Sequence, residues 1–167
     1  MNRKITLILP LLLLGFIFNA KAQCPANIDW ELGSYSNWVY YTGSCCPISV
    51  PTAGWAAGRH TLTTGPGTDP YGGFPVVAPG GGRYSFKLGN EINGSQAERA
   101  RYYVPIPTGG IYSLVYRYAV VLNDPAHTAA EQPRMTVNAT DSNTGAAVPC
   151  ASYTYVASGS IPGFLTS

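Results

Sequence analysis

Charge is scarce in this chain. Lys and Arg number ten and Asp and Glu eight among 167 residues, leaving a net charge of +2 at pH 7. No basic patch large enough for nucleic acid is visible, so nucleic acid is set aside. Imidazoles are as rare: His60 and His127 are the only two. Neither accompanies a G-x-S-x-G elbow or a Cys–His signature. A glycosidase needs two carboxylates across a cleft, and nothing in the sequence pairs Glu31, Glu91, Glu98 or Glu131. No catalytic residue is expected, and the chain reads as a non-enzyme. Helix formers are sparse, and past the N-terminus no apolar run is long enough to cross a membrane as a helix.

What is present begins with MNRKITLILPLLLLGFIFNAKAQ. Arg3 and Lys4 precede an apolar run over 5–18. Ala20, Lys21 and Ala22 then form a small-x-small cleavage site. Residues 1–22 are therefore expected to be a secretory signal peptide, cut between Ala22 and Gln23. Gln23 stands where lipoprotein processing at Cys24 would need a small residue. The expected location is secreted, at the extracellular cell surface. Residues 23–167 are the size of one domain. Their four cysteines, Cys24, Cys45, Cys46 and Cys150, form an even set in an exported chain, which points to disulfides. Neighbouring cysteines seldom bridge each other. The expectation is that one of Cys45 and Cys46 reaches Cys24 and the other Cys150. The spacing does not fit the paired C-x-x-C knuckles of a zinc ribbon.

Gly, Pro, Tyr, Thr and Ser dominate the mature part, with short apolar runs between turn residues. This composition predicts an all-β fold, a jelly-roll-like antiparallel β-sandwich. Period-two alternation predicts strands at 27–31, 38–41, 59–63, 84–88, 135–139, 146–150 and 153–156, and a tight turn at 141–145. The strongest alternation lies at 98–106 and 112–122. With Pro107, Thr108, Gly109 and Gly110 between them, these two stretches predict a long central hairpin. Residues 42–57, 65–82 and 123–132 read as loops. A jelly roll has about eight strands in two Greek keys; several of the candidates here are short, and no closing strand reads after residue 156. The domain is therefore expected to be a truncated piece of a longer protein with further domains.

The opening NIDWELGSYSNWVYYTGSC is similar to the start of secreted jelly-roll modules, where an acidic strand, a glycine turn and an aromatic precede a Trp. RHTL, TDPYGGFPVVAPGGGRYSFKLGN, QAERARYYVPIP, YRYAVVLNDPAHTAAEQPRMTV and IPGF follow. As a set, covering nearly all of the mature part, these motifs resemble the N-terminal module of large secreted surface proteins of Bacteroidetes. Those proteins carry PKD-type repeats and a C-terminal domain linked to gliding motility or type IX secretion. The resemblance implies an adhesin-like cell-surface module without enzyme activity, whose partner is a surface glycan or protein. These 167 residues contain neither PKD repeats nor a sorting domain.

Arg99, Arg101 and Arg117 are placed by alternation as a basic stripe suited to bidentate carboxylate or sulfate recognition. The competing reading is a solvated sheet face, or pairing with Glu98 or Glu131. Tyr71 and Trp55 lie in loops where an exposed ring can stack on a sugar. Asp29 and Glu31 offer hard oxygens for a structural calcium, of the kind jelly-roll carbohydrate binders often carry. Asp124, His127 and Glu131 collect ligating groups in one loop, without a firm third ligand.

Overall fold

The computed structural model describes residues 24–109 and 112–158. The expected leader at 1–22, the cleavage point at Gln23 and the IPGF motif lie outside the described residues. Those described are almost all β, with seven short strands and one 3-10 turn at Pro149–Ala151.

Strand β1, Trp38–Ser44, lies in the middle of a three-stranded antiparallel sheet. It is flanked by β2, Ser49–Ala53, and by β5, Gln96–Tyr102. Strands β3, His60–Thr64, and β4, Tyr84–Leu88, form a second antiparallel pair. Strands β6, Arg134–Val137, and β7, Tyr153–Val156, form a third. The sheets are small and unclosed.

Three strand expectations are corrected. Residues 98–106 and 112–122 do not form a hairpin with each other. β5 ends at Tyr102 and pairs instead with β1, Trp38 opposite Tyr102 and Ser44 opposite Gln96. Tertiary pairing overrides the local turn signal, because β1 offers β5 a full set of ladder partners and an aromatic face to cover. Residues 112–122 carry no strand assignment, and none of their backbone groups joins a backbone–backbone hydrogen bond among the described residues. Residues 27–31 are a turn, not a strand. Asn27 and Trp30 adopt positive φ, which bends the chain back on itself. Residues 146–150 give only an isolated bridge, Thr140 with Ala147, and the start of the 3-10 turn. In the other direction, β2 forms inside 42–57, which reads as loop.

The expected turn at 141–145 is present. Asp141 Oδ1 accepts the N–H groups of Asn143 and Thr144, and Gly145 N–H donates to Asp141 O. These donors hold the Asp141 carboxyl below its usual range.

The core between the first two sheets is built from rings. Trp30 stacks on Trp38 at 4.0 Å and on Phe86 at 4.7 Å. Tyr35 and Tyr40 meet edge to face, and His60 lies against Tyr40 and Phe86. His60 is 0% exposed and Tyr40 5%. Imidazole Nδ1 accepts the Ala56 N–H, while Nε2 has no hydrogen-bond partner. Aromatic pairs of this kind contribute about 0.5–1.5 kcal/mol each beyond area burial.

Two polar anchors hold this core shut. Asn27 is buried, and its amide donates to Ser34 O at 3.0 Å and Ser36 O at 2.8 Å. Its Oδ1 accepts from Leu32 N, and its carbonyl accepts from Trp38 Nε1. Arg59 pairs with Glu98 at 2.6 Å and also donates to Gly43 O and Ala97 O, tying the β3–β4 pair to β1 and β5.

The cysteines overturn the expected long bridges. Cys45 and Cys46 are bonded to each other, in the turn that joins β1 to β2. Cys24 and Cys150 are free and exposed. The tight connection from Ser44 to Ser49 holds the neighbouring pair together and leaves neither sulfur for a distant partner.

Candidate ligand-binding face

The outward face of the three-stranded sheet carries the arginines predicted from alternation. On β5, Glu98, Ala100 and Tyr102 face the core, and Arg99, Arg101 and then Tyr103 face away, as period-two geometry requires. Register places Tyr41 of β1 opposite Arg99 and Val39 opposite Arg101. Directly opposed antiparallel residues touch through their side chains. The Arg99 guanidinium lies 4.0 Å above the centre of the Tyr41 ring, and that of Arg101 lies 5.6 Å from the same ring. Arg101 Nη1 donates to the Tyr103 hydroxyl at 3.2 Å and approaches that ring as well. That hydrogen bond holds the Arg101 guanidinium above its ordinary range, in its charged form.

Neither arginine forms an ion pair among the described residues. The ion pairs of the described residues are Arg59–Glu98 and Lys87–Glu91, so the expected alternative partner Glu98 is occupied by Arg59 on the other side of the sheet. Arg99 Nε is buried without a hydrogen-bond partner. The face thus presents two cations fixed on one tyrosine ring, which removes part of the rotamer entropy that a free arginine surrenders on binding.

The remaining candidates do not converge here. Arg117 donates through Nη1 to Pro79 O, in the 65–82 loop. Tyr71 is 62% exposed and donates its hydroxyl to Glu91 at 3.2 Å, whose charge pushes the phenol up. Trp55 is half exposed, with its indole N–H on His60 O and its ring against Tyr35. Glu31 accepts the Arg83 N–H with both carboxylate oxygens and the Tyr84 N–H with one. Gly82 makes room for it, since a Cβ there would meet the carboxylate. Asp29 accepts the Glu31 N–H. Both acids thus serve backbone donors, Glu31 at the entry to β4 and Asp29 in the loop ahead of β1. Asp124 accepts from Ala126 N and Gln132 Nε2, which hold its carboxyl below the usual range, and Glu131 accepts from Thr128. Among the described residues no group of three or more His, Cys, Asp and Glu side chains converges to hold a metal, and no helix is long and apolar enough to cross a membrane.

Sequence reasoning placed Arg99, Arg101 and Tyr103 on one face but counted neither Tyr103 nor Tyr41 among the site residues. Tyr103 was legible, two residues on from Arg101. Tyr41 was not, because its place under Arg99 depends on the β1–β5 register. No family model, curated protein or solved structure matches this chain.

Proposed function

We propose that this chain is a secreted, non-catalytic binding and adhesion module of jelly-roll type, acting at the cell surface on an acidic glycan. The observation that carries this reading is the pair Arg99 and Arg101, seated on Tyr41 and unpaired with any carboxylate among the described residues. Guanidinium groups recognise carboxylate and sulfate through paired N–H donors. The Tyr41 and Tyr103 rings add apolar surface on which a sugar ring stacks. The scarcity of acidic residues removes competition for those donors. The resemblance to Bacteroidetes surface modules supports the extracellular setting and the presence of further domains in the same protein.

The test is binding of the mature chain to sulfated, uronate and neutral polysaccharides, at low and physiological salt. Binding to the acidic polymers is expected, weakening with salt as exposed charges are screened. The double substitution Arg99→Gln, Arg101→Gln is expected to weaken it by about tenfold or more per arginine, since a charge-assisted hydrogen bond contributes roughly 1.5–3 kcal/mol. Equal binding of neutral polymers, or full binding by the double variant, overturns the proposal.

A further inference from the structure

A second aromatic cluster lies away from the arginine face. Residues 112–122 run beside β7, unpaired in backbone with any described residue, and meet it through tyrosines. The Tyr116 and Tyr153 hydroxyls share a hydrogen bond at 2.6 Å, and those of Tyr118 and Tyr155 share one at 2.7 Å. The Tyr118 ring centre lies 6.0 Å from that of Tyr155, with the planes tilted by 36°. Tyr118 also lies 5.7 Å from Tyr153. Tyr118 is 47% exposed, so a diffusing oxidant reaches it. The pairing repeats with one offset, 116 to 153 and 118 to 155, so two adjacent rungs hold the segment in one register.

We propose that Tyr118 and Tyr155 form an oxidative cross-linking site, at which a peroxidase-class oxidant joins the two phenols into a dityrosine and fastens residues 112–122 to β7. Each phenol loses one electron and its hydroxyl proton and becomes a phenoxyl radical. The two radicals couple through their ortho carbons to form one C–C bond. The ortho hydrogens then leave as protons while both oxygens are reprotonated, and both rings regain phenol form. The net change is loss of two hydrogen atoms, taken up as one hydrogen peroxide is reduced to two waters. The product is a biphenol whose two oxygens lie side by side across the new bond. A pair of phenols that already share a hydrogen bond, with their rings close together, therefore starts near the product arrangement. Holding reacting groups in this way replaces a bimolecular encounter by an intramolecular one.

Trypsin reads the outcome directly, because Arg117 separates Tyr116 from Tyr118 and Arg134 separates both from β7. The mature chain, dilute, is treated with hydrogen peroxide and a haem peroxidase, digested and mapped by mass. The expected product joins the peptide beginning at Tyr118 to the peptide beginning at Met135, short of two hydrogens. Its yield is expected to be independent of protein concentration, severalfold lower in urea, and abolished by Tyr118→Phe. Tyr155→Phe is a second variant, and backbone circular dichroism checks that each variant is folded. A cross-link found only between molecules, one equally abundant in the unfolded chain, or one that survives Tyr118→Phe in a folded variant, overturns the proposal.

Discussion

Single residues in this chain carry unusual weight because few of its apolar side chains are buried. Arg59 is the clearest case. Its guanidinium is mostly buried, bonded to Glu98 and to the carbonyls of Gly43 and Ala97. Arg59→Ala leaves one carboxylate and two carbonyls unanswered. The expected loss of stability is about 2–3 kcal/mol, larger than for an exposed pair, whose contribution is at most about 1 kcal/mol. Glu98→Gln keeps an acceptor for the Arg59 donor and should cost less. Urea unfolding of both variants checks the order, and equal losses would count against the account. Asn27 makes the same point for a turn. Its side chain serves three backbone groups, and its φ of 58° suits asparagine better than most residues. Asn27→Ala is expected to cost about 2 kcal/mol by denaturant titration, from lost hydrogen bonds and a strained φ.

Among the elements, strands were more legible than their partners. The alternation of 38–41, 84–88 and 153–156 announced β1, β4 and β7, because side-chain direction in a strand is a local property. The partner of β5 was not legible. Pro107, Gly109 and Gly110 argue for a hairpin with 112–122, yet β5 lies on β1, more than fifty positions earlier, where its Tyr102 meets the Trp38 ring. Which strand wins depends on aromatic packing that no spacing rule records. The turn at 27–31 was misread for a related reason. Asn27, Asp29 and Glu31 alternate with Ile28 and Trp30 like a strand, but an asparagine amide that reaches Ser34 and Ser36 closes the chain on itself. The same split holds at the site. Arg99 and Arg101 share a face by period two, whereas Arg117 follows the 112–122 segment to Pro79. The tyrosines that hold this segment to β7 carry their own prediction. Burial first and the Tyr116 hydrogen bond second raise the Tyr153 phenol, while the bond to Tyr118 raises that of Tyr155. Unfolded tyrosines ionise near pH 10. A phenol raised in the folded state binds more protons there than in the unfolded one. Its stabilisation is therefore complete below about pH 10 and is lost as pH rises toward the folded value. Phenolate absorbance followed against pH should show a late-titrating class of tyrosines, smaller after Tyr116→Phe with Tyr118→Phe.

At the scale of the whole molecule, the described residues fall into two packing units of different strength. The first joins β1 to β5 through stacked rings and the Arg59 ties, and it contains Trp30, Trp38 and Trp55. The second is the β6–β7 pair, a two-stranded ladder with the tyrosine contacts and no tryptophan. Two strands alone are marginal in water. Urea is expected to melt the second unit first, so that backbone circular dichroism begins to fall before tryptophan fluorescence shifts. Coincident curves from the two probes would instead show a single cooperative unit. The segment that links the units has a separate consequence. Without ladder partners among the described residues, the amide protons of residues 112–122 stand open to solvent, while those of β1 are enclosed between β2 and β5. Placed in deuterated water, the linking tract should label almost at once and β1 last, and the order in which the other strands follow would chart where the molecule opens.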